Sequence, residues 1–389
     1  MNKEKENGRK NSGIKDNVRP RLDRSYQSPL IEKIRANNFC FKEGRLEVDL
    51  AGEFGFCYGV ERAVAYAYDT RAKFPERRIF LIDEIIHNPR VNQELREMGI
   101  LFLSGPFACD VKMEEIGEKD VVIMPAFGVS VEALNGFRER GCLIIDTTCG
   151  SVMSVWRQVE AYSRDGFTTV IHGKYDHEET RATCSRANKY LVIRDKKQAH
   201  FVCDGIVGRV SRDSFLQTFK DACSKGFDPE KDLERIGFAN QTTMLRGESV
   251  EISNMICNAL RERYGEAELT ARFRQCNTIC SATQDRQDAV QELGEKKKDL
   301  ILVIGGYKSS NTGHLAEIAS KFAPTYHVED VSCLVSAGKI RHKKINSSEV
   351  SETKEWLPAG EVKIGITAGA STPNRVIEEV IERLIEIAK

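Results

Sequence analysis

Cys57, Cys149 and Cys280 are the residues of this chain whose type and spacing point most directly to chemistry. Each opens the same pattern of cysteine, amphipathic helix, charged turn, apolar strand and polar loop. They recur roughly a hundred residues apart, and a pattern used several times over usually marks one supersecondary unit repeated. Three such units around a pseudo-threefold axis would bring three thiolates to one centre and so make a metal site. Three thiolates with a vacant fourth position fit a [4Fe-4S] cluster with one iron free for substrate, and equally a zinc with an open site. The compact Cys-x-x-Cys pairs of zinc ribbons and the clustered runs of ferredoxins are both absent, so local spacing favours neither. The plainer alternative is three core cysteines at equivalent packing positions.

A second set of reactive side chains lies in the polar loops after the strands. His87 follows Phe80-Leu-Ile-Asp-Glu-Ile-Ile; His177 and Glu179 lie in His172-Gly-Lys-Tyr-Asp-His-Glu-Glu-Thr180; Ser309, Ser310 and Asn311 lie in Gly305-Gly-Tyr-Lys-Ser-Ser-Asn-Thr312. Histidine, serine hydroxyls and an asparagine amide are donors suited to a diphosphate, above all at helix N-termini, where backbone N–H groups add to them. Ser-Ser-Asn ahead of Leu315-Ala-Glu-Ile is also what helix capping selects, and capping and anion binding can share one helix start. His87 before Asn88-Pro89 fits a strand-ending turn as well. Glu179 is the natural proton donor if burial raises its pKa, and a solvated helix start otherwise.

The elements that must position these residues alternate regularly. Pro29-Leu-Ile-Glu-Lys-Ile-Arg has helical spacing and Arg45-Leu-Glu-Val-Asp-Leu50 alternates as a strand. Arg78-Ile-Phe-Leu-Ile, Ile100-Leu-Phe-Leu, Asp120-Val-Val-Ile-Met and Cys142-Leu-Ile-Ile-Asp are apolar runs of the kind buried on both faces of a parallel sheet. The expected fold is α/β: three similar α/β units with small parallel sheets in pseudo-threefold arrangement around a central cavity. Residues 1–24 are expected to be a disordered N-terminal extension, since they are polar and poor in apolar side chains. The first unit, with an N-terminal helix, is expected over 25–148, the second over 149–279 with an insertion near 195–235, and the third over 280–389. Ligands of such units bind beyond the carboxyl ends of the strands, where all the loops named above fall.

Composition narrows the function classes. A chain of 389 residues can bury large cores, and 58 basic against 58 acidic residues leave no global field for nucleic acid. No apolar run approaches the roughly 20 residues of a membrane span, and the N-terminus lacks the apolar core of a secretory signal. A soluble intracellular protein with no nucleic-acid or membrane partner is expected. The 12 cysteines are too scattered for a disulfide framework and read as reduced thiols, most of them packing residues such as Cys109.

Taken together, eight segments in order resemble the 4-hydroxy-3-methylbut-2-enyl diphosphate reductase family, the last enzyme of non-mevalonate isoprenoid synthesis. They are Glu53-Phe-Gly-Phe-Cys-Tyr-Gly-Val, Glu84-Ile-Ile-His-Asn-Pro, Asp146-Thr-Thr-Cys, His172 to Thr180, Gln241-Thr-Thr, Thr278-Ile-Cys, Ser309-Ser-Asn and Ala368-Gly-Ala-Ser-Thr-Pro. The resemblance implies that Cys57, Cys149 and Cys280 hold one [4Fe-4S] cluster, and that an allylic diphosphate is reductively dehydroxylated to isopentenyl and dimethylallyl diphosphates. It also implies that Glu179, with His177 and Thr242, relays protons, and that His87, His177, Ser309, Ser310, Asn311 and Ser371 hold the diphosphate. A ferredoxin- or flavodoxin-type electron donor is implied, and no Gly-x-Gly-x-x-Gly fingerprint suggests direct use of NADPH. The compartment it suggests is the cytoplasm, with the plastid stroma as alternative.

Two positions depart from the family. Many bacterial members carry His where this chain has Phe127, but the plant and cyanobacterial branch shares Ala-Phe-Gly, and this sequence resembles that branch most. His172 or Lys174 is expected to supply the missing donor. Gly150 stands where the family usually has Pro, which could loosen the loop of Cys149. A zinc-dependent hydrolase or lyase, and a non-catalytic sensor on the same scaffold, are the rival readings.

Overall fold

A computed structural model describes residues 19–276 and 278–389. The first sheet contains β3 (Ile79–Leu81), β4 (Ile100–Phe102), β5 (Val121–Met124) and β6 (Leu143–Asp146), all parallel, in the order β4-β3-β5-β6. The second contains β7 (Thr168–His172), β8 (Tyr190–Ile193), β9 (Ile236–Asn240) and β10 (Phe273–Gln275), again all parallel, in the order β8-β7-β9-β10. Both sheets therefore have one topology, second-first-third-fourth.

The third sheet repeats it with a substitution. Its parallel centre is β12 (Thr325–Val328), β11 (Leu300–Ile304), β16 (Val362–Ala368) and β2 (Leu46–Leu50), so the fourth position is filled from the start of the chain. β1 (Cys40–Glu43) adds antiparallel to β2. β13 (Leu334–Ser336), β14 (Lys339–Lys343) and β15 (Val350–Lys354) extend the other edge antiparallel. The fourth strand of every sheet leads into a cysteine: β2 towards Cys57, β6 towards Cys149 and β10 towards Cys280. The repeat is thus circular.

This arrangement moves the expected boundary of the first unit. Residues 40–50 belong to the third sheet, and Ile31 and Ile34 of helix Pro29–Ala36 join its core with Leu46 and Val48. The expected disorder over 1–24 is corrected for its described part: helix Arg19–Tyr26 begins within it and buries Leu22 and Tyr26 against the first core. Residues 1–18 lie outside the described residues. The segment 195–235 is helical and packed into the second core through Phe215, Phe219, Phe227 and Leu233. The third unit has its own addition, β13–β15, which sequence reading did not anticipate.

The apolar runs behave as parallel-sheet interiors where they are central. Every residue of β3, β5, β7, β9 and β11 is buried, each Ile, Leu or Val contributing about 1.5–3 kcal/mol relative to exposure. β6 departs from that expectation, with Leu143 37% exposed, because it is the edge of its sheet. No described helix is long and apolar enough to cross a membrane.

Candidate active site

Three long helices begin at the three cysteines. Cys57 is the N-cap of Tyr58–Lys73, Cys149 of Gly150–Arg164 and Cys280 of Ser281–Glu295. Cysteine is not among the residues that capping favours, and neither Cys57 nor Cys149 makes a side-chain cap bond. Cys280 Sγ accepts from Thr283 N at 3.3 Å. The positions are therefore held for another purpose; burial pushes the Cys280 thiol up to about 11, with Thr283 opposing.

All three cysteines line one cavity, and every segment around it comes from an equivalent place in the repeat. Three segments are the helix starts at the cysteines. Three follow the first strands of the sheets and carry His87, then His177 and Glu179, then Ser309, Ser310 and Asn311. Three follow the third strands and carry Phe127, then Thr242, then Ser371. The eleven residues expected in the site all reach this cavity.

The sulfur positions bear on what the cysteines could hold. A single tetrahedral zinc with Zn–S near 2.3 Å needs its sulfurs about 3.8 Å apart. Cys57, Cys149 and Cys280 do not form such a set: among the described residues they are not a group whose ligand atoms all lie within 4.8 Å of one another. Their wider spread, each thiol on its own helix start, suits a polynuclear centre. Cys40, Glu47 and Asp49 do come that close, but Lys42 already pairs with Glu47 at 2.9 Å and Lys298 with Asp49.

Opposite chemistry lines the remaining wall. The Asn311 carbonyl oxygen accepts from Ala370 N at 3.0 Å, which fixes the amide, and its Nδ2 is buried without a partner, as is Ser310 Oγ. Ser309 Oγ caps its helix by accepting from Thr312 N at 3.2 Å, leaving its own hydrogen to donate, so capping and ligand binding coexist. Ser371 Oγ donates to His87 O at 3.3 Å. Unpartnered buried donors at a helix start fit an anion with several oxygens.

His87 and His177 meet through Nε2 atoms 3.3 Å apart. His87 Nδ1 is held by Glu84 at 3.0 Å, and Glu84 in turn by Lys308 at 3.3 Å; His177 Nδ1 accepts from Glu179 N at 3.2 Å. Burial works against the imidazolium of His87, but Glu178, at 3.5 Å, and Glu84 outweigh it and push the pKa up to about 9. Burial, then the charge of His87, lowers His177 to about 3. A cationic His87 beside a neutral His177 leaves positive charge at this wall of the cavity, with Glu178 and Glu84 as its carboxylate partners. Glu84, Glu178 and Lys308 had no role in the sequence reading; the only signal was Glu84 standing three residues before His87.

Phe127 stacks on His87 with ring centroids 4.4 Å apart and planes at 17°, and meets His177 edge-on. The expectation that His172 or Lys174 replaces the donor lost at Phe127 is not met. Neither lines the cavity: His172 Nδ1 bonds Ser249 Oγ at 2.7 Å, and Lys174 is half-buried elsewhere, its pKa lowered by burial and then by the charges of Lys343 and Arg194. Phe127 instead supports the charged face of His87.

Glu179 is fully buried. Its Oε1 accepts from Thr242 N at 2.6 Å and its Oε2 from Thr242 Oγ1 at 2.9 Å. Burial raises its pKa to about 7, Thr242 opposing. A carboxyl whose pKa lies near neutrality, bonded to a hydroxyl that also lines the cavity, can deliver a proton directly or through Thr242 Oγ1.

Gly150 is the first residue of its helix, with open space where a Cβ would stand, and Cys149 before it is extended at φ −61°, ψ 139°. Proline suits the first helical turn and an extended preceding residue. Gly150→Pro should raise stability by about 0.4–1 kcal/mol in a denaturant titration; a loss of that size would mean the glycine is needed.

A family model described as LytB protein matches residues 48–385. The chain is 49% identical to a 4-hydroxy-3-methylbut-2-enyl diphosphate reductase of Gloeobacter violaceus over 97% of this chain and 92% of that one. It is 47% identical to the enzyme of the same name from Trichormus variabilis, over 97% and 94%. A solved structure titled (E)-4-hydroxy-3-methyl-but-2-enyl diphosphate reductase, the terminal enzyme of the non-mevalonate pathway, matches with TM-score 0.52 and 27% identity, covering 87% of this chain and 99% of that one. A structure titled E-1-hydroxy-2-methyl-but-2-enyl-4-diphosphate reductase from Plasmodium falciparum, at 19% identity, shares the fold with TM-score 0.62, covering 86% of each chain. With the match to the family model spanning most of its length, the chain belongs to the LytB protein family.

Proposed function

We propose that this protein reduces 4-hydroxy-3-methylbut-2-enyl diphosphate to isopentenyl and dimethylallyl diphosphates, with a [4Fe-4S] cluster held by Cys57, Cys149 and Cys280. The relatives' names supply the substrate and the reductase class. The observation that carries the reading here is the meeting, in one cavity, of three cysteines at helix starts with a buried, protonatable Glu179. The balance is an allylic alcohol plus two electrons and two protons giving the alkene and water. When bound, the cluster supplies the electrons singly and offers one iron without a protein ligand.

The chain's own residues do the rest. His87, His177, Ser309, Ser310, Asn311 and Ser371 fix the diphosphate, and the hydroxyl end of the short C5 chain lies towards the cysteines of the same cavity. Glu179 protonates the departing hydroxyl through Thr242 Oγ1 and turns a poor leaving group into water. The anion binds beside the paired rings of His87 and His177, where the cationic His87 favours negative charge. Electrons come from an external one-electron carrier of ferredoxin or flavodoxin type.

Anaerobic purification with iron and sulphide counts, then reduction by dithionite with the substrate present, tests this reading. About four irons per chain and release of both diphosphate products are expected. Zinc without sulphide, or a cluster without turnover, would overturn it.

A further inference from the structure

Arg286 lies on the Cys280 helix, six residues past the cysteine, and is 4% exposed. Its Nη2 donates to Gly55 O at 2.7 Å, in the loop that leads to Cys57, and its Nη1 to Ala282 O at 2.8 Å, in the first turn of its own helix. Its Nε is also buried and has no acceptor among the described residues. Among the described residues no carboxylate pairs with this guanidinium within 4.0 Å. The side chain of Lys298, equally hidden at 4% exposure, has its counter-ion in Asp49.

A guanidinium stays charged, and burying a lone charge is unfavourable unless an anion answers it. Backbone carbonyls carry only partial charge. The groups that Arg286 joins lie two residues from Cys57 on one side and two from Cys280 on the other. A centre bound by three thiolates is the anion this position lacks, and each added electron makes such a centre more negative.

We propose that Arg286 is the fixed counter-charge of the iron–sulphur centre, favouring its reduced form while holding the loops of Cys57 and Cys280 at one separation. This rests on the cluster reading given above. Net charge and hydrogen bonding around a cluster set its reduction potential, so a buried positive charge beside the thiolate loops makes electron uptake easier. Arg286 is a positioning and charge-setting residue; it does not line the cavity and touches no substrate.

The test is a spectroscopic redox titration of the anaerobically purified holoenzyme, comparing wild type with R286Q and R286K. In R286Q the midpoint is expected to move to more negative potential, by at least tenfold in the reduced-to-oxidised ratio, ~59 mV for one electron. R286K, which keeps the charge, should stay near wild type. An unchanged midpoint in an R286Q protein with full iron content overturns the proposal. If R286Q binds no iron, R286K decides: a loaded R286K with wild-type midpoint supports the counter-charge, and an equally empty one makes Arg286 a structural strut only. Wild-type protein without iron and sulphide would instead overturn the cluster reading itself, an outcome distinct from a loaded R286Q with unchanged midpoint.

Discussion

Replacing Cys57, Cys149 or Cys280 singly by serine is expected to drop the iron content from about four per chain to a small fraction of that, and to remove turnover, while Cys109→Ser leaves both in place. The argument is positional. Each of the three begins a helix of 15 or 16 residues and reaches the same cavity, whereas Cys109 packs beside Phe80 and Val122 in a satellite of the first core. A serine at any of the three still offers an N-cap oxygen, so the helices should persist and the far-ultraviolet circular dichroism stay unchanged. The measurement is iron and sulphide per chain beside that spectrum. Equal losses for Cys109→Ser and the other three would sink the ligand assignment.

Glu179→Gln should lower kcat by ~10²–10⁴-fold with iron content unchanged and little change in KM. Glutamine keeps the shape and can still accept from Thr242 N, so what it removes is the transferable proton. The pH profile gives the same group a second signature. Burial raises the pKa of Glu179 to about 7, above its ordinary value, so the acid form prevails below neutrality and is lost as pH rises through 7. The rate of the wild-type enzyme should therefore fall on the alkaline side of about pH 7, and that limb should be missing from Glu179→Gln. His87, facing the same site and held up to about 9 by Glu178 and Glu84 against burial, would add a further fall at higher pH through lost substrate affinity. Retention of wild-type kcat by Glu179→Gln would show that the leaving group takes its proton elsewhere.

Legibility in the sequence followed the range of the interactions concerned. The runs that became β3 and β5 were readable because a strand buried on both faces must be apolar throughout. Leu143-Ile-Ile looked the same and turned out to be an edge, since nothing within a strand states which neighbours it will have. The role of Ser309 as a cap was local and therefore visible, while the empty donors of Ser310 and Asn311 emerge only when Ala370 fixes the asparagine. His172 and Lys174, expected to replace the histidine lost at Phe127, do not line the cavity. The structure instead strengthens His87, through Glu84, Lys308 and Glu178 on its edges and Phe127 on its face.

By itself, then, the sequence determined the threefold repeat, the α/β class, the three cysteines and the loops that carry donors and acid, because periodicity and residue chemistry are properties of short segments. Tertiary structure alone decided that β2 closes the third sheet, that nine loops face one cavity, that Glu179 is dehydrated enough to hold a proton near neutrality, and that Arg286 is left without a carboxylate among the described residues. Each of those depends on burial or on partners far apart in the chain: β2 pairs with β16, Glu179 bonds to Thr242, and Arg286 reaches Gly55. Burial and charge compensation arise only when such segments are packed together, which is why no local pattern announces them.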